Sequence, residues 1–273
     1  MYTNRRLAQR FPGLERLAAE KFIEEQEKVS DDGSSVEKLL TRLDRLVGLS
    51  ELQDVLVLGC GPRPRLIKGL AQKHYSVTGV EPDPSFVRSA ETFLGSSSKI
   101  LEGSAEEIPL PSDSQDLAVC ESVLEHVDSP TKSLDEIFRV LRPGGVAYIV
   151  TTNRHQVSLR GHNGEYNVRY FNWLPDVVKE SFVFYHLHYD PSLANYTSRP
   201  AVHWYSYADL CKLGRQAGFH QFYSVLDLLE LDDPSIAKSR ARKFLLNRLK
   251  FNPWARALAL TQMGFLIFML KRR

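Results

Sequence analysis

Residues 55–64 read VLVLGCGPRP. Four apolar residues run into Gly59-Cys60-Gly61, and the glycines then stop. A short β-branched and leucine run that ends in glycine is the pattern of a strand buried on both faces of a parallel sheet. The predicted strand is DVLVLG (54–59), and the helix after it turns Leu66, Ile67, Leu70 and Ala71 inward. Glycines between strand and helix let the backbone approach a ligand, and the helix N-terminus favours polar or negative groups.

Outward from this stretch the alternation repeats. SVTGVE (76–81) reads as a second strand, and Asp83-Pro84 as the N-cap and first turn of the next helix. KILEG (99–103) and DLAVCES (116–122) read as strands three and four. A helix over 132–141 spaces Leu134, Ile137, Phe138 and Leu141 on one stripe, RPGG (142–145) turns, and VAYIVTTN (146–153) is strand five. Upstream, 14–29 and 36–49 read as helices. Downstream, a helix at 206–217 and FHQFYSVLDLL (219–229) resume the pattern, and MGFLIFML (263–270) is expected to close the sheet as an edge strand. The fold class is therefore α/β: a doubly wound, mostly parallel seven-strand sheet with helices on both faces. It carries an N-terminal helical cover (1–50), a cofactor-binding half (51–153), an aromatic-rich cap inserted after strand five (154–205), and a C-terminal half with a basic tail (206–273).

The composition, 43% hydrophobic and 25% charged over 273 residues, is that of a globular chain with a substantial core. The N-terminus has no apolar run after its charges, so no signal peptide is expected. Cys60, Cys120 and Cys211 are widely separated, with no CxxC, which fits reduced thiols in a cytoplasmic protein. Charge is lopsided. Residues 234–273 hold ten Lys or Arg and no acid, against 25 basic and 33 acidic side chains before them. Near-neutral overall charge and the lack of a recognition module argue against nucleic acid.

Glu81 ends the second strand 22 residues after Gly59, where an open α/β sheet sets a carboxylate to accept from two ribose hydroxyls. That suits NAD and S-adenosylmethionine alike. A dinucleotide fingerprint would put its third glycine at Pro64, and Pro62 and Pro64 offer no N–H to a pyrophosphate. A cofactor without phosphate tolerates such a loop better.

VLVLGCG (55–61), VTGVEPDPSFVRSA (77–90), GSAEEIPLPSDSQDLAVCESVLEHVDSP (103–130) and LDEIFRVLRPGGVAYIVTTN (134–153), in this order, resemble the class I, seven-strand S-adenosylmethionine-dependent methyltransferases, in particular the type 11 subgroup. The resemblance covers roughly residues 40–153, and AGF (217–219) extends it. It implies S-adenosyl-L-methionine as cofactor. Gly59, Cys60 and Gly61 would pass under its methionine part and Glu81 would hold the ribose. Pro82 and Asp83 would border the adenine, Ser104 and Ala105 would lie along its ring, and Glu121 and Ser122 would border the transferable methyl. Three positions depart from the family: Val57 replaces a usual acid, Pro62-Arg63 a usual small residue, and Ser104 a frequent Asp.

The implied reaction is methyl transfer to a small-molecule, glycan or lipid-linked acceptor, on oxygen by analogy. A base assists a hydroxyl nucleophile, and the candidates are His126, His155, His162 and Glu165, with His126 best placed. The alternative is a methyltransferase-fold protein with weak or no catalysis that acts as a partner or regulator. No metal is expected: His186 and His188, with Asp190 or His203, lack a metal-site spacing. Twelve aromatics between 166 and 207 suggest a cap whose rings mostly form its own core, with some near Tyr166, Tyr170 and Trp173 facing a substrate. The tail can form a basic amphipathic helix over 236–250, with Ala237, Ala241, Phe244, Leu245 and Leu249 on one side. Two readings stay open for it: a solvated surface helix, or peripheral contact with an anionic membrane.

Overall fold

The computed structural model describes residues 22–24, 26–28, 33–96, 98–155, 170–185, 201–262 and 265–272. Seven strands form one sheet in the order β3-β2-β1-β4-β5-β7-β6. They are β1 (Asp54–Leu58), β2 (Ser76–Glu81), β3 (Lys99–Glu102), β4 (Gln115–Glu121), β5 (Leu141–Thr151), β6 (Gln221–Ser224) and β7 (Phe265–Leu270). The first five pair in parallel, and β7 runs antiparallel to both its neighbours.

The strands alternate between two cores. Leu56, Leu58, Ala118, Cys120, Ala147 and Ile149 face one side, against α4 (Pro130–Val140) and α6 (Tyr207–Ala217). Val55, Val57, Leu117, Val119 and Tyr148 face the other. There they meet α1 (Ser34–Leu46), α2 (Arg65–Gln72), α3 (Pro84–Leu94) and α7 (Val225–Leu228). The strand period of two thus sends each run to both sides, which is why β1 and β4 read as continuous apolar stretches.

Local chemistry sets the helix starts. Asp83 Oδ1 accepts from the Ser85 N–H (2.8 Å) ahead of Pro84, and Ser129 Oγ accepts from Lys132 N–H ahead of Pro130. Ser206 and Asp209 form a reciprocal capping box at α6.

Two expectations are corrected. MGFLIFML does not form an edge: β7 lies between β5 and β6, and Ile267, Phe268 and Met269 are wholly buried. The edge is β6, whose Gln221 is exposed, and FHQFYSVLDLL breaks after Ser224 into α7 because Ser224 and Asp227 cap a helix there. In the tail, α8 (Pro234–Ala237), α9 (Arg240–Phe251) and α10 (Pro253–Gln262) replace one helix over 236–250. Of α9, Leu246 is buried, while Phe244 and Leu245 of the expected apolar side are exposed.

The segment after β5 has a small core of Phe171, Val183, Ala201 and Trp204. Helix α5 (Asp176–Tyr185) contributes the buried Lys179, whose ammonium meets Asp176 Oδ1 (3.2 Å) and lies 5.1 Å from the Trp204 ring centroid. Tyr170 and Trp173 are exposed and stack edge to face. Tyr166 lies outside the described residues.

Candidate active site

The strand order reverses between β1 and β4, and ligands of open α/β sheets bind outside the carboxyl ends of strands at such a point. A cleft of about 430 Å³ opens there. It collects the expected cofactor residues and the best-placed candidate base: Gly59, Cys60, Gly61, Glu81, Pro82, Asp83, Ser104, Ala105, Glu121, Ser122 and His126.

Glu81 organises the floor. The residue is buried, its Oε2 accepts from the Gly61 N–H (2.9 Å) and its Oε1 from the Asp83 N–H (3.3 Å). One carboxylate thus fixes both the glycine loop and the rim beyond β2, and its oxygens retain further lone pairs. The two glycines serve different ends. Gly59 (φ 59°) donates to the Val80 carbonyl at 2.8 Å, and a Cβ there would fall 2.4 Å from Val123 Cγ2. Among the described residues, Gly61 (φ 66°) has only Phe22 Cε1 near a built Cβ, at 3.9 Å.

The Pro-Arg-Pro segment has a structural task that the sequence did not reveal. Arg63 pairs with Glu27, and Arg65 donates to the Gln26 side chain (3.2 Å) and carbonyl. These bonds fasten the helical residues 22–24 and 26–28 over the loop. Phe22 then stacks on Phe86 of α3 (ring centroids 5.4 Å apart), and Phe22 and Gln26 join the cleft wall. A phenylalanine in the charged stretch EKFIEEQ was the available signal, but its target lies far along the chain.

Charge in the cleft follows burial. Desolvation pushes the Cys60 thiol up to about 12, with the neighbouring Glu81 adding to it, so Cys60 stays a neutral thiol. Glu121 is solvent-exposed as a residue, yet its carboxyl is crowded by protein. That burial raises its pKa against the opposing pull of the Tyr148 hydroxyl and Arg42. Val57 pairs with Val119, so Glu121, two residues on, points to the same side of the sheet as Val57. Both line a second cavity of about 190 Å³ beneath the glycine loop. An acid therefore does stand under the loop, on the neighbouring strand.

The segment after β4 is held from below. Tyr205 Oη donates to the Leu124 carbonyl (2.7 Å) and Thr151 Oγ1 to Glu125 Oε2 (2.7 Å). His203 Nε2 lies 2.8 Å from the Val127 carbonyl, and burial holds the imidazole pKa below its usual value, so the neutral ring donates there. Ser122 takes a left-handed conformation (φ 53°) at the cleft edge. His126 is half-buried on the cleft wall, its N–H donating to the Val123 carbonyl (2.9 Å). His155 is exposed and is not among the cleft residues. His162, Glu165, His186, His188 and Asp190 lie outside the described residues. Among the described residues no group of three His, Cys, Asp or Glu could hold a metal.

Residues 56–149 match the family profile described as "Methyltransferase domain". A Mycolicibacterium smegmatis protein described as a "probable S-adenosylmethionine-dependent methyltransferase" is 36% identical over 104 residues, 37% of this chain and 39% of that one. The ubiquinone biosynthesis O-methyltransferase of Pseudomonas fluorescens is 32% identical over 120 residues, 41% of this chain and 50% of that one. The chain thus spans half or less of the curated relatives it matches. The structure of the plantazolicin methyltransferase BamL, solved in complex with a triazolic desmethylPZN analog and SAH, superposes with a TM-score of 0.59. It is 17% identical and covers 99% of this chain and 96% of its own. Sheet order and cleft position agree with that profile: residues 56–149 form a domain similar to the class I methyltransferases of the type 11 group.

Proposed function

We propose that the protein is an S-adenosylmethionine-dependent methyltransferase acting on oxygen of a small-molecule, glycan or lipid-linked acceptor. The observation that carries this reading is the buried Glu81 carboxylate, which holds the Gly61 N–H at the mouth of the cleft. The residues present fit the cofactor. A carboxylate ends β2 where ribose hydroxyls need acceptors, Phe22, Phe86 and Val80 offer apolar wall to a base, and the loop beyond Gly61 has no N–H at Pro62 or Pro64 for a pyrophosphate.

The cofactor, when bound, supplies a methyl group already activated by a sulfonium. The chain's own tasks are to align the acceptor, exclude water and take a proton. Glu81 accepts from the ribose and keeps the loop in register. Glu121 brings negative charge beneath the loop, where the cofactor's cationic methionine end is expected. His126 receives the acceptor's proton. The similarity to an O-methyltransferase supports oxygen as the acceptor atom.

Calorimetric titration with S-adenosylmethionine and S-adenosylhomocysteine tests the reading. The wild type is expected to bind both at micromolar level, and Glu81→Gln to bind at least about tenfold more weakly while remaining folded, because it loses a charge-assisted acceptor. Folded wild type that binds neither overturns it and leaves the non-catalytic partner reading. Once an acceptor is found, His126→Ala is expected to lower kcat by about 10²-fold or more with cofactor affinity unchanged.

A further inference from the structure

Helices α9 and α10 meet at Asn252, whose Oδ1 accepts from the Trp254 and Ala255 N–H groups (3.0 Å each). Leu246 is the buried anchor of α9. At about 100° per residue, the side opposite Leu246 carries Arg240, Phe244, Arg248 and Phe251. Phe244 is 65% and Phe251 80% exposed, and the Arg248 guanidinium lies 5.4 Å from the Phe244 ring centroid. In α10 the cation turns inward: Arg256 makes two bonds to Asp227 (2.6 and 2.7 Å). The outward side is left to Trp254 (84% exposed), Ala257 and Leu258 (65% exposed).

The result is an exposed ridge of aromatic and leucine side chains flanked by cations. Arg240 and Arg248 are exposed on this side, Lys238 is exposed just before α9, and residues 234–262 contain no Asp or Glu. Helix α10 lies at the carboxyl ends of β5 and β6, the same end of the sheet at which the cleft opens. Asn153, just past β5, donates to the carbonyls of Leu260 and Thr261 (3.2 and 3.1 Å), and Arg256 reaches Ser224 at the end of β6.

We propose that the α9–α10 ridge is a docking surface for an anionic lipid bilayer. Phe244, Phe251, Trp254 and Leu258 seat in the headgroup–acyl boundary, and the arginines and lysines lie over anionic headgroups. Aromatic tips, a leucine and basic flanks without any acid are the chemistry such an interface rewards. No helix of the described residues is long and apolar enough to cross a membrane. A second copy is a poorer occupant, because two such faces bring like charges together. The proposal does not depend on the methyltransferase reading.

The test is co-sedimentation of the full chain with vesicles of phosphatidylcholine, alone or with about one-third phosphatidylserine. The chain is expected on the anionic vesicles and not on the neutral ones, with release as salt is raised. Phe251→Ser/Trp254→Ser is expected to lose at least about tenfold in retention with unchanged thermal melting, and Arg240→Gln/Arg248→Gln to lose several-fold. Absence from anionic vesicles, equal retention on both, or undiminished retention of the folded serine variant overturns the proposal. So does a dimer in vesicle-free buffer that the serine variant abolishes, since the ridge would then be an interface between copies.

Discussion

At the scale of single residues, the glycine loop separates two demands that the sequence presents as one. Gly59 and Gly61 both sit at positive φ, but only Gly59 is closed off by a side chain, Val123. Gly59→Ala is expected to cost about 2–3 kcal/mol, from overpacking plus left-handed strain. A second substitution, Val123→Ala, should recover the packing part and leave about 1 kcal/mol of backbone strain. Gly61→Ala should show the strain alone, and Val123→Ala should do nothing for it. Urea denaturation of the four variants decides this; equal costs at both glycines would refute the distinction. Glu81 was legible because a parallel sheet fixes where a strand end goes, whereas Ser104 and Glu121 were placed by the resemblance to methyltransferases. The relation of Glu121 to Val57 was not legible. It depends on β1–β4 register, which local pattern does not contain.

Elements show where sequence reading succeeds and where it fails. Caps such as Asp83-Pro84 and the periodic stripe of α1 are local and were visible; Val36, Leu39, Leu40 and Leu43 are all buried. Strand order is not local. MGFLIFML has no charge or proline within it, and edge strands usually carry one or the other, so its composition already argued for an inner place. The cover makes a prediction at this scale. Arg63 and Arg65 are the loop's links to Gln26 and Glu27, on the side chains and carbonyl of a segment that walls the cleft. Arg63→Ala/Arg65→Ala should leave the sheet intact and speed amide hydrogen exchange across residues 22–28 by about tenfold or more, with little change in β1 or β4. S-adenosylhomocysteine should bind several-fold more weakly. Unchanged exchange in 22–28 would show that Phe22–Phe86 stacking alone holds the cover.

Over the whole molecule, a few ion pairs join parts of the chain that are far apart in sequence. Asp233 is held below the usual carboxylate range by hydrogen bonds from Arg45, which tie α1 to the C-terminal half. Within α4, the local pair to Arg139 holds Glu136 down as well. In Asp116 and Asp227 burial opposes the charge. It is outweighed in Asp116 by the N–H groups of Asp54 and Gln53 together with Arg142, and in Asp227 by Arg256 and Ser224. Every one of these carboxyls has a folded pKa below its unfolded value. Their contribution is therefore present above the unfolded carboxylate range, about 3.9–4.3, and is lost as pH falls through and below it. Unfolding free energy from urea titrations should drop by on the order of 2–4 kcal/mol between pH 7 and pH 3. Arg256→Leu separates this from a general acid effect. Without the arginine, Asp227 is left half-buried between α7 and the start of α10 with its principal counter-charge gone, so its pKa rises. The variant should be less stable than wild type at pH 7, and its loss between pH 7 and pH 3 should be smaller. An acid response identical in slope to the wild type would mean that the Asp227–Arg256 pair, despite its two short bonds, adds nothing to the linkage between the sheet and its C-terminal helices.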